Sequence, residues 1–222
     1  MQKKALIISL VHGKGGVGKT TASMLIAAEI AERGFRVLVA ECDAQASASA
    51  WASAAPEGLP FPAAVVNLSA YEGKIHREIQ KQLHNYDFII VDCPPGLESL
   101  APQAAILISD LVIIPLPPSP ADFWAARGIK KLVENGKDFN PALIAVLLPN
   151  RVVRTSLSNA IMRELKEFGI PIMLSRLTNR TAYQEAVVSG LSISALGRDA
   201  KAAKDEVHAL ADEVLSLLGE SK

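Results

Sequence analysis

Residues 13–20 read GKGGVGKT, and this short stretch decides the fold. It satisfies the spacing G-x-x-x-x-G-K-[ST], follows the apolar run ALIISLV (5–11) and opens the helical pattern TASMLIAAEIAER (21–33). A glycine-rich turn between a strand and a helix lets successive backbone N–H groups face an anion, and the helix N-terminus adds partial positive charge. The stretch therefore predicts a phosphate-binding loop. A chance match is the alternative, and the strand–helix context argues against it.

Specific side chains of this loop carry predicted roles. Lys19 is expected to reach the β- and γ-phosphates of a nucleotide, and Thr20 to offer its hydroxyl to Mg²⁺. Asp92 ends the apolar run DFIIVDC (87–93), where a buried acid is costly unless it is paired or binds a metal; capping of a turn is the alternative. Nucleotide contacts are expected from the whole loop: Gly13, Lys14, Gly15, Gly16, Val17, Gly18, Lys19, Thr20 and Thr21.

Apolar runs of strand length alternate with helical patterns along the whole chain, and the runs do not alternate with polar residues. This pattern predicts an α/β fold with a mostly parallel central sheet flanked by helices, in one domain over 1–222. Strands are expected at 5–11, 36–42, 63–68, 87–93, 110–116, 142–148 and 170–175. Helices are expected at 21–33, from a capping box at Ser69 and Glu72 to Leu83, and at 99–109, 121–137, 155–169 and 199–218.

Composition excludes several classes of protein. The 222 residues are 50% hydrophobic and 21% charged, which excludes a disordered chain. Lys+Arg and Asp+Glu are 23 each, so a protein that coats nucleic acid by overall positive charge is excluded. The two cysteines, Cys42 and Cys93, are too few and too far apart for a disulfide framework. No signal peptide or membrane span is recognisable, so we expect a cytoplasmic protein.

Five stretches together resemble the deviant Walker A group of ParA, MinD and the nitrogenase iron protein. They are KGGVGKTT (14–21), ECDAQ (41–45), FIIVDCPPG (88–96), DLVIIPLPPSPADF (110–123) and LTNRTAYQEAVVSG (177–190). The last two are most similar to short, ParF-like proteins of plasmid partition. The resemblance implies a P-loop ATPase, without the helix-turn-helix extension of longer ParA proteins.

The resemblance also implies roles for individual residues. Lys14 would cross a dimer interface to the nucleotide of the partner subunit, which makes it catalytic together with Lys19 and Asp43. Asp43 would orient or activate the attacking water. Thr20, Asp43 and Asp92 would hold Mg²⁺, and Asn150 would contact the adenine of ATP. Without the resemblance, Lys14 is best interpreted as a solvated loop lysine.

Three positions depart from the family pattern. Glu41 stands where the family usually has Asp, and Ala44 where it usually has Pro. Both changes bear on the geometry of hydrolysis rather than on nucleotide binding. His12 replaces a more usual Pro, Gln or Ser, and we interpret it as a loop residue and not a ligand.

The function implied is a partition ATPase. An ATP-bound homodimer, which could extend into filaments, would bind nonspecific DNA of the nucleoid, and a small centromere-binding partner of the ParB or ParG kind would stimulate slow hydrolysis. Scattered basic residues of the carboxyl-terminal half are the expected DNA contacts: Arg151, Arg154, Arg163, Arg176, Arg180, Lys201 and Lys204. As single residues, each is better interpreted as a solvated charge.

Other functions on this fold fit less well or stay open. A MinD-like membrane protein needs a basic amphipathic tail, and the tail here carries mostly acidic residues on its polar face. An iron–sulfur carrier needs paired cluster cysteines, and an amide synthase of the cobyrinate-diamide type needs extra substrate-binding segments. An ATPase that positions another cargo, or a VirC-type DNA-transfer protein, stays open.

Overall fold

The structure, a computed structural model, describes residues 4–96, 98–153, 155–165 and 168–220. Its strands are β1 (Leu6–Leu10), β2 (Val37–Glu41), β3 (Ala64–Asn67), β4 (Phe88–Asp92), β5 (Leu111–Leu116) and β6 (Ile144–Pro149). Its helices are α1 (Lys19–Glu32), α2 (Ser47–Ser53), α3 (Ile75–Gln82), α4 (Leu100–Ile108), α5 (Pro120–Phe139), α6 (Ser156–Glu164), α7 (Thr181–Ser189) and α8 (Lys201–Leu217). Short 3-10 segments, Ser69–Lys74 and Arg198–Ala200, precede α3 and α8. Within these ranges no helix combines the length and apolar character that crossing a membrane requires.

The central sheet confirms the predicted α/β class. Six strands pair in parallel in the order β3-β2-β4-β1-β5-β6. The chain builds the β2–β3 side first and later crosses to the β5–β6 side, so the strand order reverses beside β1. In open parallel sheets, ligands bind at the carboxyl ends of the strands next to such a reversal. The predicted phosphate loop directly follows β1 and therefore lies at this position.

Helices cover both faces of the sheet, as the continuous apolar strands predict. Ile8 and Leu10 of β1 belong to one buried layer with α1, α2, α7 and α8, whereas Ile7 belongs to the opposite layer with α3, α4, α5 and α6. The same alternation places the side chains of Glu41 and Asp92, which end β2 and β4, on the side of α1 and α2. Both acids therefore end up buried between the sheet and a helix.

The strand predicted at 170–175 is wrong. Ile172 makes only an isolated bridge to Leu147 of β6. Pro171 has no N–H to donate, and the Glu213 carboxylate of α8 accepts the N–H groups of Leu174 and Ser175 at 2.8 and 2.7 Å. The segment consequently turns away from the sheet after one bridge.

The predicted capping box at Ser69 and Glu72 is also wrong. The Ser69 hydroxyl donates to Asn67 Oδ1 at 2.6 Å, so it does not cap a helix. Glu72 has φ 45° and ψ −123°, which interrupts the helical path, and α3 begins only at Ile75. Two short helices, α2 and α7, were not expected from the sequence.

The Glu206 carboxylate of α8 holds both the segment before α7 and the first turn of α7 by hydrogen bonds. Glu206 accepts hydrogen bonds from Thr178 N at 3.0 Å, Thr178 Oγ1 at 2.8 Å, Arg180 Nη2 at 2.7 Å and Tyr183 Oη at 2.6 Å. Burial acts to raise the pKa of Glu206, but the hydrogen bonds from Arg180, Thr178 and Tyr183 outweigh it and the pKa is lowered. The charged form is thus the one that the fold stabilises.

We expect Glu206→Gln to lower the free energy of unfolding by about 2 kcal/mol at neutral pH, since hydrogen bonds to a charged group contribute about 1.5–3 kcal/mol. A depressed pKa gives stability that is present above the unfolded value and is lost as the pH falls through the folded value. The difference between the variant and the wild type should therefore shrink in acid. Urea unfolding followed by circular dichroism measures it, with Glu185→Gln on the exposed side of α7 as the matched control. Equal unfolding midpoints for the two variants at neutral pH would contradict the prediction.

Candidate nucleotide-binding site

The loop between β1 and α1 needs its glycines for conformation and for space. Gly16 and Gly18 have φ of 75° and 91°, in the left-handed region that favours glycine. A Cβ on Gly18 would lie 2.3 Å from Asn150 Nδ2, so any other residue there would displace the Asn150 side chain. Gly18 also precedes α1 without any side-chain cap, which leaves first-turn N–H groups of the helix available to an anion.

Lys19 lies inside this loop. Its side chain is buried, and Nζ donates to the carbonyl oxygen of Lys14 at 3.3 Å. Burial lowers the pKa of Lys19, while the carboxylates of Asp92 and Asp43 act to raise it. The ammonium group is therefore held in the centre of the loop, where a phosphate would meet it.

Asp92 and Thr20 lie together beside Lys19. Asp92 is fully buried and accepts hydrogen bonds from Thr20 Oγ1 at 2.7 Å and Ser23 Oγ at 3.0 Å. Burial raises its pKa to about 6, although both hydroxyls act to lower it. A carboxylate that two neutral hydroxyls compensate only in part, with the hydroxyl oxygen of Thr20 beside it, is an oxygen donor set that suits a hard divalent cation.

The donor set fits Mg²⁺ that is bound together with a phosphate. Among the described residues, no group of three or more His, Cys, Asp and Glu side chains could hold a metal ion by itself. Mg²⁺ is commonly held by one or two carboxylates and substrate phosphates, with several waters, rather than by a cage of protein ligands. Asp92 and Thr20 are the residues that would hold it here.

The two acids of the ECDAQ stretch have different surroundings. Asp43 is half-buried, accepts the Gln45 N–H at 2.9 Å, and lies close enough to Lys19 to raise its pKa. Glu41 is fully buried and turns instead to the N-terminus of α2, where it accepts the Ala48 N–H at 2.6 Å. Of these two acids, only Asp43 therefore acts on the pKa of Lys19.

Lys14 makes an ion pair within its own chain. Its Nζ lies 2.7 Å from Asp122 Oδ1, and the Asp122 side chain is 9% exposed. Ser119 Oγ donates to Asp122 Oδ2 at 2.5 Å and accepts from Asp122 N at 3.2 Å, capping α5. Burial acts to raise the pKa of Asp122, but the hydrogen bonds from Lys14 and Ser119 outweigh it and the pKa is lowered. Sequence reasoning missed Asp122. The spacing Ser119-x-x-Asp122, with Pro120 at the first helical position, is the capping signal that could have identified it.

His12 stabilises the phosphate loop through a hydrogen bond with its backbone. It is buried, and its Nδ1 accepts the Lys14 N–H at 3.0 Å. Burial and the nearby charge of Lys19 lower its pKa to about 4, so it is neutral at physiological pH. This placement agrees with the interpretation of His12 as a loop residue.

Asn150 lies against the phosphate loop from the end of β6. Its Nδ2 donates to Val17 O at 2.7 Å, and the neighbouring Arg151 Nη1 donates to Gly16 O at 2.7 Å. A cavity of about 70 Å³ opens beside it, lined among others by Thr21, Asn150, Arg151 and Tyr183. The predicted adenine contact is therefore beside the loop and already hydrogen-bonded to its backbone.

A larger apolar groove lies away from these residues. It encloses about 740 Å³ between the 3-10 segment at Ser69–Lys74 and α4, with Tyr71, Leu100 and Leu107 on its walls. None of the loop residues, and neither Asp43 nor Asp92, lines it. The site is thus defined by its charged and hydrogen-bonding groups and not by the size of a cavity.

Of the basic residues predicted to contact DNA, some bind other groups of the protein and others are exposed. Arg180 is paired with Glu206, Lys204 Nζ donates to the carbonyl oxygens of Ser194 and Leu196 at 2.9 and 2.7 Å, and Arg151 holds the phosphate loop. Arg176 and Lys201 are exposed, as is Arg163, while Arg154 lies outside the described residues.

Comparisons with known proteins identify the family of this chain. A family model described as the CobQ/CobB/MinD/ParA nucleotide binding domain matches residues 8–193. Maintenance of carboxysome distribution protein A from Halothiobacillus neapolitanus is 30% identical over 213 residues, 96% of this chain and 97% of that protein. Protein ParA from Rhizobium radiobacter is 27% identical over 187 residues, 80% of each chain.

A solved structure extends the similarity to the fold. The ATP complex of McdA from Cyanothece has a TM-score of 0.79 at 16% identity, covering 99% of this chain and 98% of that chain. On these grounds the chain belongs to the CobQ/CobB/MinD/ParA family of nucleotide-binding domains.

Proposed function

We propose that this chain is an ATP-hydrolysing switch of the ParA type, which positions a cargo along nonspecific DNA in the bacterial cytoplasm. One observation carries the proposal: Lys19, the Thr20–Asp92 pair and Asp43 converge at the carboxyl ends of neighbouring strands. A phosphate-binding lysine, a pair for Mg²⁺ and a carboxylate for water are the parts that hydrolysis of a nucleoside triphosphate needs.

Each residue has a distinct part in this reaction. Lys19 binds the β- and γ-phosphates, and the N–H groups at the start of α1 orient them. Thr20 and Asp92 would hold Mg²⁺, which when bound neutralises negative charge on the phosphates. Asp43, at the rim of the site, orients the attacking water.

Lys14 connects the nucleotide to dimerisation. Two bound triphosphates brought to a two-fold interface repel each other unless cations compensate their charge. Lys14 is half exposed, and among the described residues its ammonium group pairs with Asp122, so it can exchange this carboxylate for a phosphate of the partner subunit. We propose that ATP-bound subunits dimerise in this way.

The exposed basic residues are the best candidates for DNA contacts. Arg176 and Lys201 are exposed, and Arg198 precedes Lys201 on the 3-10 segment that leads into α8. Because the chain has no net charge, a monomer has little long-range attraction for DNA, and a dimer doubles the local basic set. DNA binding would therefore depend on ATP.

The cargo depends on a partner protein. The relative named for carboxysome distribution, at 30% identity, supports a cargo other than DNA as strongly as ParA, at 27%, supports plasmid partition. If the function is plasmid partition, the partner is a small centromere-binding protein of the ParB or ParG kind. A VirC-type role in DNA transfer is the remaining alternative. The protein that raises ATP turnover identifies the cargo.

Lys19→Ala should weaken ATP binding at least tenfold while the fold persists, because it removes the one charge at the centre of the loop. Isothermal titration with ATP and Mg²⁺ measures the affinity, and circular dichroism checks the fold. Lys74→Ala, an exposed lysine outside the site, is the control. Unchanged affinity in Lys19→Ala would refute the assignment of the phosphate loop.

Lys14→Gln should bind ATP but stay monomeric, whereas Asp122→Asn should dimerise at a lower protein concentration. The shift is expected to be up to about fivefold, since a pair with one exposed partner contributes about 0.2–1 kcal/mol. Light scattering with a nonhydrolysable ATP analogue measures both. If the Lys14→Gln variant forms an ATP-bound dimer of normal stability, the proposed role of Lys14 is wrong.

ATP-bound protein should retard duplex DNA of any sequence, and ADP-bound protein should not. The affinity should fall with salt by about one log–log unit per phosphate contact. Arg176→Glu combined with Lys201→Glu should abolish retardation and leave ATP binding intact, whereas Lys74→Glu should retard DNA normally. Equal binding with ADP, or a strong preference for one sequence, would count against a partition-type switch.

A further inference from the structure

Glu41 is fully buried at the end of β2, and its carboxylate accepts four hydrogen bonds. Oε1 accepts the Ala48 N–H at 2.6 Å. Oε2 accepts from Ser49 N at 3.1 Å, Ser49 Oγ at 2.5 Å and Asn67 Nδ2 at 3.1 Å. A carboxylate has two lone-pair positions on each oxygen, so Oε2 is fully used and Oε1 accepts one bond. The Glu41 carboxylate is therefore engaged with α2 and β3.

The start of α2 depends on this carboxylate. Ala46 precedes the helix with φ 52° and has no side-chain group that could cap it. The first N–H groups of a helix lack partners within the helix, and negative charge is favourable beside them. Glu41 supplies the missing cap from the preceding strand, through the N–H groups of Ala48 and Ser49.

Between the strand and this cap lies the loop that carries Asp43. At one end Cys42 N donates to Asp92 O at 2.9 Å, which ties the loop to β4. At the other end Glu41 ties down the first turn of α2. Inside, Ala46 N donates to Asp43 O at 3.1 Å and Gln45 N to Asp43 Oδ1 at 2.9 Å. The position of the Asp43 carboxylate relative to Lys19 thus follows from these two anchors.

We propose that Glu41 is a positioning residue for hydrolysis: by capping α2 from the end of β2, it holds the Asp43 loop in the geometry that orients the attacking water. The inference rests on the proposed function, since it requires that Asp43 acts on ATP. It assigns to Glu41 an indirect role, through the backbone of Ala48 and Ser49, and no contact with the nucleotide.

The length of the side chain is what this role requires. Aspartate is shorter by one C–C bond, about 1.5 Å, and cannot reach the N-terminus of α2 and Asn67 of β3 together. Glutamine has the length but only one acceptor oxygen, so its NH₂ group would oppose one or more of the donors. It also removes a charge that acts on Asp92, the register partner of Glu41 on β4. Glu41→Asp, which keeps the charge, is therefore the more informative variant.

Ser49 provides a second variant that keeps Glu41 itself. Ser49→Ala removes the hydroxyl donor at 2.5 Å and leaves both backbone donors. Ser53→Ala is the matched control, because Ser53 Oγ donates to Ala50 O at 2.9 Å at the other end of the same helix. Ser49→Thr retains the hydroxyl and should rescue.

The test measures single-turnover ATP hydrolysis, the affinity for a nonhydrolysable ATP analogue and the thermal midpoint of each variant. Glu41→Asp should lower the hydrolysis rate at least tenfold, and Ser49→Ala threefold or more, with analogue affinity changed less than threefold. Ser53→Ala and Ser49→Thr should hydrolyse normally. In nucleotide-free protein, amide hydrogen exchange over residues 42–49 should be faster in Ser49→Ala than in Ser53→Ala.

Combination with Asp43→Ala separates positioning from a structural or independent role. If Glu41 acts through Asp43, then Glu41→Asp should slow hydrolysis no further once Asp43 is Ala. Multiplied losses, or normal hydrolysis in both Glu41→Asp and Ser49→Ala, would overturn the inference. Should Glu41→Asp not fold, Ser49→Ala alone decides. Normal hydrolysis in Asp43→Ala instead shows that the proposed catalytic role of Asp43 has failed, and the positioning role fails with it.

Discussion

The burial of the Asp92 carboxylate at the end of β4 is the constraint on which the rest of the site depends. A buried carboxylate is costly unless other groups compensate it, and here the compensation comes from Thr20 and Ser23 of α1 and from the charge of Lys19. These contacts require that α1 begins directly above β4. The phosphate loop must therefore turn within the few residues between β1 and Lys19, which is possible only with glycines in left-handed conformations.

The number of hydrogen-bond donors distinguishes the two buried acids that end β2 and β4. Glu41 is register partner of Asp92 on the neighbouring strand and equally buried, yet it accepts four hydrogen bonds, whereas Asp92 accepts two from neutral hydroxyls. A carboxylate that accepts four hydrogen bonds stabilises the fold around it, whereas one that two hydroxyls compensate only in part suits the proposed Mg²⁺ site. Glu41 and Asp92 look alike in the sequence, since each ends an apolar strand. Their chemistry differs because different hydrogen-bond donors surround each carboxylate.

The parts of the site that sequence predicted are those encoded by neighbouring residues. The loop at 13–20, Thr20 and the strand-end acid Asp92 follow from local spacing and from the cost of burying charge. The contacts that complete the site join residues far apart in the chain: Lys14 with Asp122, 108 positions away, and Asn150 with Val17, 133 positions away. Spacing carries no information about such pairs. Helix α2 escaped prediction for a related reason, because its cap comes from Glu41 on the preceding strand and not from its own N-cap residue, Ala46.

The ion pair between Lys14 and Asp122 can break with a small loss of free energy. Lys14 is 48% exposed and exchanges the carboxylate for water with little loss, whereas the Asp122 side chain is 9% exposed. When the lysine leaves, Asp122 keeps the hydrogen bond from Ser119 Oγ at 2.5 Å and its place in the first turn of α5, where negative charge is favourable. His12 meanwhile holds the backbone N–H of Lys14, so the side chain can move while the loop around Lys19 keeps its shape. In the proposed ATP-bound dimer, Lys14 can therefore leave Asp122 for the nucleotide of the partner subunit while the backbone of the phosphate loop keeps its place.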